Sequence, residues 1–557
     1  MNNEQGTVNL SILDSLFGVQ NSIFETYKVN TRNKMIRPNI LWVDDEIEML
    51  KSHIIFLEEK GYSIETVTNG EDAVNLVKEK SFSLIFMDEM MSGMGGLETL
   101  SKIKEINPNI PVVMVTKSEE ESLMHDAIGQ KIADYLIKPV VPSQMLIVCK
   151  RLLDGQKISG EYVQQDYLKD FSQISRSLTE DLDYEDWIDI YLKIINWDFE
   201  LDAHPEVDLR ETLDSQRKEA NQEFSKFVEK NYKKWINNLG EYKTPKLTTE
   251  IVSDYVLPEV KKSKGPVFLF VIDCLRADQW LVMEKHLIDM FEIKKDYYYS
   301  ILPTATPYSR NALFAGLFPS EIENHYPDLW VSGGDDERSM NKYEKELLQK
   351  LVDRKNINLR NDLKYMKIID PEVGRSFEGH IASHQKTHFM AVVVNFLDMI
   401  AHGRSDSDIL KEIAPDEAAY RSLTNSWFMH SSLLGMFKEI SKMKNAKIIV
   451  TTDHGSIRSM RGAKVLGDKE ASTNLRFKYG RNLKADSKHA IYVKDPLEFK
   501  LPRRGITTSY IFAKEDYYFV YPTDYHKYLS HYKDSFQHGG ISMEEMILPV
   551  ITLESKI

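Results

Sequence analysis

The sequence predicts an α/β protein in which two sheet-containing domains are bridged by a helical bundle, and three observations predict it. Short apolar runs alternate with helical-period segments from Asn39 to about Gly155. A charged, long-period stretch with almost no Pro or Gly follows, and a second strand-and-helix alternation begins after Lys264-Gly265-Pro266. At 557 residues the chain exceeds what one hydrophobic core normally organises, which suggests about two to four domains.

Composition narrows the function classes. With 42% apolar, 10% aromatic and 28% charged residues the chain is that of a soluble globular protein. Its net charge of −14 argues against a general nucleic-acid coat, which needs a basic surface, and leaves room for a small nucleotide held through metal ions. Only Cys149 and Cys274 are present, too few for a disulfide framework, which suits a reducing cytosol. No apolar run approaches the roughly 20 residues of a membrane-spanning helix. The first residues lack the basic start and apolar centre of a secretion signal, so a cytoplasmic protein without membrane insertion is expected.

Taken in order, residues 1–34 carry an amphipathic stretch, Leu10 to Tyr27, but Met35-Ile36-Arg37-Pro38 before the first strong strand reads as a natural start. Residues 1–34 are therefore expected to be an N-terminal extension, added or optional. From 35 to 155 the runs ILWV, SIETV, LIFM, PVVMV and DYLI predict a βα-repeated parallel sheet. Residues 156–255, with DYEDWIDIYLKIINW and RKEANQEFSKFVEKNYKKWINNL, predict a helical connector. Residues 256–557 hold strands VFLFVI, FMAVVVNFL and KIIVTT and form the second α/β domain.

Asp44 and Asp45 follow ILWV, Asp88 follows LIFM, Thr116 follows PVVMV and Lys138 follows DYLI. The carboxyl ends of parallel strands form a ligand crevice, so these side chains should converge. Clustered carboxylates of this kind hold Mg²⁺. Asp88 is then the phosphoacceptor nucleophile, Asp45 with Asp88 and the Met90 carbonyl hold the ion beside Asp44, and Lys138 neutralises phosphoryl oxygens. Taken singly, each Asp is more often a turn residue or helix cap. Through WVDDE, MDEMMSGMGG, VTKS and DYLIKP the region resembles the bacterial response-regulator receiver family over about 115 residues. The resemblance implies a doubly wound (βα)5 fold, phosphorylation of Asp88 by a sensor histidine kinase, Thr116 as a switch hydroxyl and Tyr135 as a switch aromatic. Glu89-Met90-Met91 departs from the family's usual small or proline-containing turn.

In the C-terminal half, Asp273 follows VFLFVI, Asp398 follows VVVNFL with His402 four residues on, Asp453-His454 follow KIIVTT, and His538 lies in QHGG. Two Asp/His sets at strand ends can make two neighbouring metal sites, and mixed imidazole and carboxylate donors favour Zn²⁺. Such a pair clamps the attacking and leaving oxygens of a phosphoryl transfer. Thr306, in PTATPYSRN before the apolar helical segment NALFAGLF, offers a nucleophile at a helix entry where backbone N–H groups and the helix dipole favour an anion. A helix cap is the plain alternative for Thr306, and a surface histidine for His402 or His538.

The order Asp, Thr, Asp-x-x-x-His, Asp-His, His-Gly-Gly resembles the alkaline phosphatase superfamily. PTATPYSRNALFAGLFPSE, TTDHGS and HGGISMEEMILP resemble its PglZ family over about 300 residues. The resemblance implies one zinc on Asp273, Thr306, Asp453 and His454, and another on Asp398, His402 and His538. Arg310 and Asn311 become candidates for contacting substrate phosphate, with a surface arginine and a helix-facing asparagine as the alternatives. The fusion of receiver, connector and PglZ domain is similar to response regulators of type IX protein secretion. That similarity implies a phosphodiesterase acting on oligonucleotides or cyclic nucleotides and a homodimer on phosphorylation. The rival expectations are a zinc-stabilised scaffold that binds a sigma factor or secretion motor, and a phosphomonoesterase or phosphomutase.

Overall fold

The computed structural model describes residues 38–116, 132–331 and 340–556, apart from 206, 242, 469–470, 506 and 524. The expected extension, residues 1–34, lies outside the described residues. The chain divides into two compact units between Tyr162 and Val163.

In the first unit β1 (Asn39–Val43), β2 (Ser63–Val67), β3 (Leu84–Asp88), β4 (Val112–Thr116) and β5 (Asp134–Ile137) form one parallel sheet in the order β2-β1-β3-β4-β5. Period-two alternation sends Leu41, Val43, Ile85 and Met87 into one buried cluster and Ile40, Trp42, Leu84 and Phe86 into another. Helices therefore cover both faces: α1 (Lys51–Glu59), α2 (Gly70–Glu79), α3 (Gly96–Ile106) and α4 (Pro142–Cys149). Asn69 starts α2 by accepting the Asp72 N–H at 2.8 Å. The chain order reverses between β1 and β3, which opens the crevice where Asp44 and Asp88 stand.

The helices α5 (Gly155–Ser177), α6 (Tyr184–Ala203) and α7 (Arg210–Asn237) form where the long-period pattern predicts them. From Val163 on they share one hydrophobic core with the C-terminal sheet, Phe224 and Trp235 of α7 lying 6.0 and 5.4 Å from the ring of Tyr299. Full burial of a large apolar side chain contributes roughly 1.5–3 kcal/mol, so α6 and α7 are held chiefly by this packing.

The large sheet combines β6 (Val267–Ile272), β7 (Phe291–Tyr299), β8 (Lys364–Ile368), β9 (Phe389–Val394), β10 (Lys447–Thr451) and the final strand Ile547–Ser555. Its order is β7, final strand, β10, β6, β9, β8, and its last four members are parallel. All six residues of VFLFVI are buried, as a central parallel strand covered on both faces requires. Outside this sheet, β11 (Ile457–Ser459) and β12 (Ser535–Gln537) pair antiparallel and bring His538 back over the carboxyl ends of β6 and β10.

Candidate functional site

In the first unit Asp44, Asp45 and Asp88 place one carboxylate oxygen each within 4.8 Å of one another. Lys138 Nζ lies 3.0 Å from Asp44 Oδ2 and 2.9 Å from Asp88 Oδ2. Burial raises the Asp88 carboxyl above the ordinary range; Lys138 opposes this, and the nearby Asp44 charge adds to it. Burial acts to lower Lys138, but its hydrogen bonds to Asp88 and Asp44 and their negative charges outweigh this and push it up. Asp44 is fixed by accepting the Glu46 N–H at 2.9 Å, and Asp45 Oδ2 accepts the Ser92 N–H at 3.3 Å. Thr116 ends β4 beside β3 and is buried, while Tyr135 on β5 is 44% exposed. Three oxygen donors with a lysine at their side suit a hard cation that keeps open positions for phosphate.

The second unit builds a different centre. Asp273 follows β6 and Asp453-His454 follow β10, adjacent parallel strands, so their side chains meet within 4.8 Å. Thr306 begins helix α8 (Thr306–Ala315) and is its one partly exposed residue. Its Oγ1 is 2.9 Å from His454 Nε2 and 3.5 Å from Asp273 Oδ1. His454 Nδ1 faces the Gly455 carbonyl at 3.1 Å, which fixes a proton there and leaves the Nε2 lone pair to the site.

Asp398 does not stand at a strand end as expected from VVVNFL. Strand β9 stops at Val394, and Asp398 is the third residue of helix α9 (Phe396–Asp406). The Asp-x-x-x-His spacing is thereby explained, since residues four apart share a helix face. His402 Nε2 is 3.3 Å and His538 Nε2 3.6 Å from Asp398 Oδ1, and the two imidazole nitrogens are 3.0 Å apart. Burial holds His538 well below its usual protonation range, with His454 and His402 adding to the effect. Asp398 Oδ1 is buried with no hydrogen-bond partner. A carboxylate oxygen and two imidazole nitrogens aimed at one point fit a zinc-like cation, and the orphaned oxygen is what such an ion would satisfy. The rings of His538 and His454 stack at 4.1 Å, so the two donor sets adjoin. The first set is fully buried, whereas the His402 side chain keeps 47% of its exposure and opens the centre to solvent.

Three expectations are corrected. Arg310 is fully buried and reaches inward rather than to a substrate: its Nε donates to Asp453 Oδ2 at 3.0 Å, Nη2 pairs with Asp273 Oδ2, and Nη1 lies 3.5 Å from Glu344. It lowers the Asp453 carboxyl against a burial that acts to raise it; for Asp273 burial prevails and the carboxyl rises. Asn311 is also buried, donating to the carbonyls of Pro307 and Met340 at 2.9 and 3.1 Å. Nor does the α8 entry offer a cluster of free N–H groups, because Tyr308 and Ser309 both donate to the Ala305 carbonyl and Pro307 has none.

Two supporting residues escaped the sequence. Thr304 Oγ1 donates to the Gly540 carbonyl at 2.9 Å and accepts the Gly539 N–H at 3.0 Å, while its own carbonyl faces His538 Nδ1 at 3.3 Å. The paired threonines of PTATP were the available signal. Thr452 Oγ1 accepts the Leu275 N–H at 3.1 Å and donates to the His454 carbonyl at 2.8 Å, tying the two ligand-bearing turns together. Between them Cys274 adopts φ +65°, a left-handed conformation that costs a non-glycine residue about 1–2 kcal/mol.

A pocket of three carboxylates and a lysine, joined in one chain to two adjoining Asp/His donor sets beside a threonine, marks a response regulator with an alkaline-phosphatase-like output domain. Residues 251–553 match the BREX system PglZ alkaline phosphatase-like domain, 157–236 the PorX response regulator linker domain, and 40–150 the response regulator receiver domain. The first of these covers more than half of the chain, which belongs to the PglZ family. Among curated relatives, the transcriptional regulatory protein ZraR of Klebsiella oxytoca is 32% identical over 139 residues, 25% of this chain and 31% of that protein. ResD of Bacillus subtilis is 32% identical over 114 residues, 20% of this chain and 47% of that protein. The chain spans less than half the length of these relatives. Solved structures that resemble it include chemotaxis protein CheY4 of Vibrio cholerae, at 27% identity over 21% of this chain and 99% of that one, TM-score 0.20. The receiver domain of NtrX from Brucella abortus, at 27% identity over 21% and 98%, also has a TM-score of 0.20. Among the described residues no helix is long and apolar enough to cross a membrane.

Proposed function

We propose that this chain is a cytoplasmic response regulator in which phosphorylation of Asp88 by a sensor histidine kinase controls a zinc-dependent phosphodiesterase, acting on oligonucleotides or cyclic nucleotides in the regulation of type IX secretion. The observation that carries the hydrolase is the Thr306 hydroxyl, 2.9 Å from His454 Nε2 and 3.5 Å from Asp273 Oδ1 at the solvent-facing edge of a buried helix. The secretion role is supported by the match of 157–236 to the PorX linker domain.

Asp273, Asp453, His454 and Thr306 would hold one zinc and Asp398, His402 and His538 the other. When bound, the ions supply positive charge that lowers the threonine hydroxyl's pKa and neutralises the phosphoryl oxygens. Thr306 Oγ1 attacks phosphorus as its proton leaves, and the bond to the departing alcohol breaks on the opposite side. The resulting phosphothreonine diester is then hydrolysed by water, restoring the hydroxyl and releasing a phosphomonoester. Arg310 takes one oxygen each of Asp273 and Asp453 and aims them from beneath, favouring the charged form of both although burial still raises Asp273.

In the receiver, Asp88 Oδ would attack the phosphorus of the donor as the donor's bond to its leaving group breaks, and Asp44, Asp45, Asp88 and the Met90 carbonyl would hold a Mg²⁺ that offsets the phosphoryl charge. Lys138 pairs with the phosphoryl group, Thr116 and Tyr135 respond to it, and a homodimer forms. Hydrolysis of bis(p-nitrophenyl) phosphate, p-nitrophenyl phosphate and a short oligonucleotide by zinc-loaded protein, with and without acetyl phosphate, tests the assignment. Diesters should be preferred and the rate should change on phosphorylation. Zinc retention without diester cleavage would instead favour a scaffold for a sigma factor or secretion motor, and monoester preference a phosphomonoesterase.

A further inference from the structure

Helix α7 (Arg210–Asn237) turns a polar face toward the turns that carry the histidine donors. Asn221, Ser225 and Glu229 fall four residues apart and so share that face. Asn221 is buried. Its Nδ2 donates to Glu544 Oε2 at 3.0 Å and Oε1 at 3.3 Å, and its Oδ1 accepts the Met543 N–H at 2.8 Å. Only one orientation of the amide puts a donor on the carboxylate and an acceptor on the N–H. Ser225 Oγ accepts the Glu515 N–H at 3.3 Å and lies 3.4 Å from the Ile541 carbonyl, and Glu229 pairs with Lys514 at 2.6 Å.

The short helix α10 (Met543–Met546) that receives Asn221 touches both histidine turns. Gly540, two residues after His538, donates its N–H to Glu545 Oε1 at 2.9 Å. Gly455, next to His454, donates to the Glu545 carbonyl at 3.2 Å and packs so closely that a Cβ there would lie 2.0 Å from the Glu544 carbonyl oxygen. From this chain of buried contacts we infer that Asn221 is a positioning residue: paired with Glu544, it makes the geometry of both metal-ligand turns depend on where α7 lies. The connector helix is then the element through which the output centre is tightened or loosened. The inference rests on the metal reading of those turns.

The test uses the full chain and measures zinc affinity by competition with a chromogenic chelator, the d–d spectrum of the cobalt-substituted protein, and melting temperature. Asn221→Asp sets a second carboxylate against Glu544. Zinc affinity should fall on the order of 10–100-fold, the usual cost of disturbing outer-shell partners, and the cobalt spectrum should shift. Adding Glu544→Gln should restore both, because an amide at 544 can donate to a carboxylate at 221 while that carboxylate still accepts the Met543 N–H. If Asn221→Asp does not fold, Asn221→Ala removes both hydrogen bonds without a like charge and should give the lower end of the same range. Lower melting temperatures with wild-type zinc affinity and an unshifted spectrum would overturn the inference and leave Asn221 a packing residue. Failure of the hydrolase reading is separate, since none of these measurements uses turnover; wild type that binds no zinc would remove both.

Discussion

The two centres stand at the carboxyl ends of parallel strands, yet they use their cationic side chain in opposite ways. In the receiver, Lys138 is partly exposed and bridges Asp44 and Asp88 from the side where a phosphoryl group would arrive. In the output domain Arg310 is fully buried and takes one oxygen each of Asp273 and Asp453 from beneath, leaving Asp273 Oδ1 to Thr306 and His454. A partly exposed cation beside oxygen donors suits a site that is filled and emptied as a signal. A fixed one beneath mixed nitrogen and oxygen donors suits a permanent metal centre, because outer-shell partners orient the ligands.

The comparison breaks most completely at Asp88. Asp88→Ala should abolish acceptance of phosphate from acetyl phosphate, since Asp44 and Asp45 provide cation ligands but no placed nucleophile. Phosphate-affinity gels check it, and equal labelling would put the phosphoacceptor elsewhere. Zinc in the output domain should be unaffected. Next in size, Thr306→Ala should cost about 4–8 kcal/mol of transition-state stabilisation, several powers of ten in diester turnover, with most zinc retained. A lost helix cap would cost only about 1 kcal/mol of stability and spare turnover in the folded fraction.

Metal content separates the two donor sets. Wild type should carry about two zinc ions per chain, and His538→Ala and His402→Ala about one each, as elemental analysis would register. His538 is also the ring stacked on His454, so its loss should disturb the remaining site more than loss of the open His402. The smallest effect is expected at Gly455→Ala, where the new methyl meets a backbone carbonyl. It should destabilise the second unit by about 1–3 kcal/mol, seen as a lower melting temperature, while receiver phosphorylation persists.

The convergence of the receiver residues was legible in the sequence, because ILWV, LIFM, PVVMV and DYLI each end immediately before the residue in question and successive βα units fix which ends adjoin. The output centre was legible in its donors but not in its supports. FMAVVVNFL is apolar apart from Asn395, and one polar residue in such a run cannot by itself show that the strand stops before it and that Asp398 lies in the first turn of a helix. The burial of Arg310 could not be foreseen from its own neighbourhood, since it depends on Asp273 and on Asp453, 143 residues away. Likewise the amphipathic period of α7 announced a helix, but not that Asn221 would meet Glu544 across 323 residues.

The most direct measurement of the central claim, that Thr306 carries the phosphoryl group, is the stereochemical course at phosphorus. A chiral phosphorothioate diester hydrolysed in isotopically labelled water should give its monoester with retention of configuration, because two in-line displacements, by Thr306 and then by water, each invert the centre. Net inversion would mean that water attacks directly and would contradict the assignment of Thr306 as nucleophile.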